Sequence, residues 1–166
     1  MARLLHLRVE IDESRGAPLA GAVLLRVRGV VVLDWRLCGL PGSALALARA
    51  ASEDHAAVTD AAAARRAVWP IFFCAEALEN HCGEVADFAV SHAGNVVTLS
   101  DFYGCAVPRE TRFEVPWSAL AGAVLRLGDM VVRRSAGAPW REELRERLRP
   151  IRRRRRSLVR AEGARP

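Results

Sequence analysis

The stretch "GAVLLRVRGVVVLDWRL", residues 21–37, constrains the fold more than any other part of the chain. Two runs of strand-forming residues meet near Arg28-Gly29, with no room between them for a crossover. In the first, Val23, Leu25 and Val27 alternate with Leu24, Arg26 and Arg28. The second, Val30 to Leu33, is β-branched and predicts a buried strand. So short a joint allows only antiparallel pairing. An earlier run, "RLLHLRVEI", alternates loosely and predicts a first strand from Arg3 to Ile11, closed by the polar turn "DESRGAP".

The next stretch, "LPGSALALARAASEDHAAVTDAAAARRAV", changes character. Pro41-Gly42 breaks the preceding strand and Ser43 is placed to cap a helix, with Thr59 or Asp60 placed to cap a second. Its alanines favour helix but bury little area, so these turns should lie close to a sheet. His55 falls within this Ala-rich helical stretch. "WPIFFCA" opens a second sheet-forming region. "EVADFAVSHAGNVVTLSDFYG" reads as a hairpin turning at Ala93-Gly94-Asn95, and "TRFEV" as a short strand. Pro116 then opens a helix on which Leu120, Val124, Leu127 and Val131 form one apolar stripe.

The sum is an α+β fold: a mostly antiparallel sheet of five or six strands with two or three helices packed on it. No βαβ repetition or internal repeat is visible. Residues 1–134 form one domain, 135–139 ("SAGAP") a short linker, and 140–166 a basic C-terminal helix or tail. Trp140, Leu144 and Leu148 suit a short amphipathic helix ending by Pro150. At 166 residues with 51% apolar and 27% charged content, the chain can bury a real core. No run is apolar enough to span a bilayer or serve as an export signal, and four scattered cysteines suit a reducing cytoplasm.

Charge is concentrated at one end. Residues 1–140 hold 14 Arg against 15 Asp and Glu, a net of −1; residues 141–166 hold 11 Arg against 4 Glu, a net of +7. Arg152, Arg153, Arg154, Arg155 and Arg156 are consecutive, and Arg160 follows. Five in a row cover every face of a helix, so the run is expected to stay solvated or meet a polyanion. Guanidinium groups bind phosphate bidentately and displace counterions from nucleic acid. No helix-turn-helix, RNA-recognition or zinc-finger pattern accompanies them.

Chemistry-bearing residues are sparse. Cys74, His81 and Cys82 offer three zinc donors within nine residues, with Cys105 or His92 as a fourth. The spacing is not that of a zinc knuckle, and buried free cysteines explain it as well. His81 or His92 can serve as a base only if folding brings one to a cysteine. There is no P-loop, no GxGxxG and no nucleophile elbow. The four tryptophans, Trp35, Trp69, Trp117 and Trp140, fall at element edges, where core packing is their expected role.

The run from "FFC" through "CG" to "VVTLSDF" resembles a group of small bacterial proteins. Those proteins carry a C-x-x-C-G-x-x-G-C-G loop, a hairpin ending in W-S-D-F, an F-x-F strand and a helix. Cys74, Cys82 and Gly83 match the outer loop positions, Ser100-Asp101-Phe102 the hairpin end, and Phe113 and Val115 the strand. Ala77 stands at the middle cysteine and Leu99 at the tryptophan. The resemblance covers about residues 70–130 and implies a fold rather than an activity.

By elimination the sequence points to a non-enzymatic protein-interaction module of the bacterial cytoplasm, of accessory or immunity type, without a cofactor. Arg152 to Arg156 and Arg160 would contact an anionic partner. One alternative is RNA or DNA binding through residues 141–160. The other is a metal or thiol site, zinc in particular, at Cys74, His81 and Cys82.

Overall fold

The computed structural model describes residues 4–14, 19–58, 70–73 and 84–163. Among them the fold is α+β, with seven strands and three helices. β1 (Leu5–Ile11), β2 (Ala20–Val27) and β3 (Val30–Gly39) make one antiparallel sheet in chain order. β4 (Phe72–Phe73), β5 (Val85–Ala93), β6 (Val96–Tyr103) and β7 (Phe113–Pro116) make a second. α1 (Leu40–Ala50) follows β3, α2 (Trp117–Arg134) follows β7, and α3 (Trp140–Gly163) comes last. No helix among the described residues is long and apolar enough to cross a membrane. The expected five or six strands are therefore seven, in two sheets; β4 has only two residues, too few to carry a periodicity.

Both hairpins use tight turns. Arg28 and Gly29 have φ of 50° and 85°, the two positive values that a type I′ turn demands between β2 and β3. Ala93 pairs with Val96, so the second turn contains only Gly94 and Asn95, with Gly94 at φ 61°. The β3 run extends past Leu33 to Gly39 because two register shifts against β2 keep it paired.

Pro41-Gly42 does not separate strand from helix. It lies in the first turn of α1, where a proline's missing N–H has no intrahelical acceptor to lose. A Cβ on Gly42 or on Gly39 would come within 2.4 Å of the Phe73 ring, so these glycines receive that ring against α1. Ser43 is accordingly not a cap; it is buried, with its Oγ 3.3 Å from Cys38 Sγ. The second helix expected from Thr59 or Asp60 lies outside the described residues.

One apolar cluster joins both sheets and all three helices, drawing Leu25 and Val27 from β2, Phe72 from β4, Phe88 from β5 and Val97 from β6. The α2 stripe of Leu120, Val124, Leu127 and Val131 is buried in it as its spacing predicts. So are Leu144, Leu148 and Ile151 of α3.

The C-terminal helix departs most from expectation. It continues through Pro150 to Gly163 rather than ending there. Pro150 is exposed, so the carbonyl that loses its partner can be hydrated. A proline inside a helix costs about 3 kcal/mol. Beyond it, Ile151 is 1% exposed, Leu158 packs on the cluster and Arg154 docks, and this packing offsets that cost. α2 and α3 form an antiparallel helical hairpin: Gly128 faces Leu148, and Asp129 meets Arg152.

Candidate functional site

The arginine run does not stay solvated as a block, because its members fall on different faces of α3. Arg154 continues the inward stripe of Leu144, Leu148 and Ile151. Its guanidinium lies 4.2 Å from the centre of the buried Trp117 ring, and its Nη2 donates to Gly94 O at 2.7 Å. Arg152 is half-buried and pairs with the Asp129 carboxylate. Arg153, Arg155, Arg156 and Arg160 remain exposed.

The first half of α3 is electrostatically quiet. Arg145 pairs with Glu142 at 2.5 Å, Arg147 with Glu143 at 3.1 Å and Arg149 with Glu146 at 2.7 Å. These are one-turn pairs on an exposed helix surface. The cationic stretch expected over residues 141–160 thus contracts to 152–160.

Of the exposed arginines, Arg155, Arg156 and Arg160 border a groove of about 710 Å³ between α2 and α3. Arg152, Arg155, Arg156, Val159 and Arg160 line it from α3; Gly122, Leu125, Arg126 and Asp129 line it from α2. The α2 set recurs at intervals of three, one and three residues, a single helix face. An atom at the Cβ position of Gly122 would stand 3.5 Å from Arg126 Nη1 and 3.8 Å from Arg155 Nη2. Guanidiniums from the two helices thus come to the same spot beside Gly122.

The described lining thus brings five guanidiniums and the Asp129 carboxylate together. Concave, low-dielectric walls focus the field of such charges on what lies between them. The floor is aliphatic, with Leu125 buried and Val159 60% exposed. Among the described residues, no serine, threonine, cysteine or histidine lines it.

Arg126 and Gly122 were not singled out by the sequence. In the chain Arg126 is an isolated charge beside an apolar stripe, and only the helical hairpin brings it to Arg155.

A second polar cluster surrounds Asp87 on β5. Its carboxylate is fully buried and accepts from Val58 N at 3.0 Å and Ile71 N at 3.1 Å, with His55 Nε2 2.8 Å away. His55 is not helical: it lies beyond α1 and forms a two-way backbone bridge with Val90, both bonds 2.8 Å. Cys105 Sγ lies 3.5 Å from Tyr103 O and 3.7 Å from Asp87 O. Burial, and after it the Asp87 carboxylate, pushes the Cys105 thiol up from 9.0 to about 12. It stays protonated near neutrality and makes a poor nucleophile. Asp87 is a hub that ties three chain segments together.

Other candidates are committed to structure. His92 N donates to Asp54 Oδ1 at 2.8 Å, and its Nε2 is 2.9 Å from Ala50 O. Trp117 is buried, and its Nε1 donates to Ala51 O at 2.8 Å. Cys74, His81 and Cys82 lie outside the described residues, as does Trp69. Among the described residues, no three His, Cys, Asp or Glu side chains are grouped to hold a metal ion.

Comparison of the chain with protein-family models, with curated proteins and with solved structures finds no match.

Proposed function

We propose that this chain is a non-enzymatic binding protein that holds an anionic partner in the groove between α2 and α3. The observation that carries the reading is the convergence of Arg126, Arg152, Arg155, Arg156 and Arg160 on one concavity, with Asp129 paired to Arg152 among its described lining. Like charges gathered on one concavity repel each other. A bound anion relieves that repulsion and forms charge-assisted bonds to several forks at once. Contacts of this kind set on-rate and partner choice more than raw affinity, which suits an accessory or regulatory module.

The groove also differs from a merely basic surface, because the same helix carries three arginines neutralised by glutamates. The test uses that contrast. Full-length protein and two variants, Arg155→Ser/Arg156→Ser and Arg145→Ser/Arg147→Ser, are eluted from immobilised heparin in a salt gradient. Both variants lose two charges. The groove variant should elute at distinctly lower salt than the ion-paired one. Equal shifts would mean that the chain responds to net charge alone, and the groove reading would fall.

A further inference from the structure

We infer that the occupant of this groove is an acidic amphipathic α-helix of a partner protein, rather than a phosphate chain. The inference rests on the anion-groove reading above and adds the chemistry of the ligand.

The lining itself discriminates. Among the described residues, the groove contains no aromatic ring, amide or hydroxyl side chain. Single-stranded nucleic acid is held by stacking its bases on aromatic faces and by bonding to their edges. Here the space between the guanidiniums is filled by Leu125 and Val159 instead. Val159 is the most exposed large aliphatic residue described, at 60%. An aliphatic side chain placed among cations contributes nothing to a phosphate backbone. It does give an apolar anchor to a helix that presents leucine or valine beside its carboxylates.

The spacing fits as well. Arg156 and Arg160 stand one turn apart on α3, about 6 Å. A helix lying along α3 with glutamates at i, i+4 and i+8 repeats at the same interval, with its apolar positions falling between them. The groove's charge is also uneven. Asp129 pairs with Arg152 at one end, while Arg155, Arg156 and Arg160 line the other. A peptide can match that unevenness by setting a neutral residue beside the Asp129–Arg152 pair and its acids over Arg156 and Arg160, whereas a polyphosphate strand carries charge at every step.

The experiment uses full-length protein and three fluorescein-labelled probes at near-physiological salt. One is a peptide of about 15 residues, long enough to form some helix alone, with Glu at i, i+4, i+8 and Leu at i+3, i+7. The second is a scramble of the same composition, and the third a single-stranded RNA of about 15 nucleotides. Anisotropy should show the patterned peptide binding about tenfold more tightly than the scramble and than the RNA. Val159→Asp and Arg156→Ser, both at exposed positions that leave the core intact, should each weaken it by about tenfold. Equal binding of the two peptides, indifference to Val159→Asp, or tighter binding of RNA overturns the helix inference and leaves the anion groove standing. Failure of all three probes to bind removes both.

Discussion

If α3 is a structural layer and not an appended tail, Gly128 and Leu148 must be energetically coupled. Leu148 is fully buried, and a Cβ on Gly128 would stand 2.7 Å from its Cδ1 and 2.9 Å from its Cδ2. Leu148→Ala should cost about 2–5 kcal/mol, the range for a leucine emptied from a packed core. Gly128→Ala adds two opposed effects. Overpacking against a side chain with nowhere to move costs about 1–3 kcal/mol. Replacing a mid-helix glycine returns up to about 1 kcal/mol of propensity. The single variant should therefore be neutral to about 2 kcal/mol less stable.

In the Leu148→Ala background the clash is gone and the new methyl fills part of the cavity. There Gly128→Ala should stabilise by about 1 kcal/mol or more, a reversal of sign. The coupling from the cycle should be about 1–3 kcal/mol, read from urea denaturation of the four proteins at constant m-value. If Gly128→Ala stabilises the unaltered chain by about 1 kcal/mol and the cycle closes at zero, Gly128 faces solvent. The docking of α3 described above would then be refuted.

The Asp87 hub makes two further predictions. Asp87→Ala leaves the Val58 and Ile71 N–H groups without their acceptor, and at about 1–3 kcal/mol each the loss should be about 2–6 kcal/mol by urea denaturation. A loss below about 1 kcal/mol would mean those donors find other acceptors. Asp87→Asn keeps one acceptor oxygen and should fall between. Cys105 should resist alkylation in the native protein at pH 8 and react readily once unfolded, followed cysteine by cysteine by mass spectrometry. Its folded-state value lies above its ordinary one. Its stability contribution is thus complete below pH 9.0 and is lost as pH rises toward about 12. Native-state labelling as fast as that of the unfolded chain would contradict the burial that holds it protonated.

The sequence by itself determined the local structure. Alternation and β-branching placed β1, β2 and β6, the Gly-containing joints placed both hairpin turns, and a period of three to four placed the buried face of α2. These are consequences of backbone geometry over a few residues, and no distant partner is needed to produce them. Tertiary structure decided what local rules scored as breaks. Pro41-Gly42 is a helix start because Phe73 packs there, and Pro150 is crossed because Ile151, Arg154 and Leu158 find partners on the far side.

The candidate site divides in the same way. The arginine run was legible, and with it the expectation of an anionic partner. Which arginines face the groove was not, because five in a row carry no periodicity to distinguish one face from another. That assignment came from Trp117 taking Arg154, Asp129 taking Arg152, and Arg126 arriving from the other helix. A guanidinium's role depends on what it meets across the fold, and contacts at that distance leave no trace in neighbouring residues.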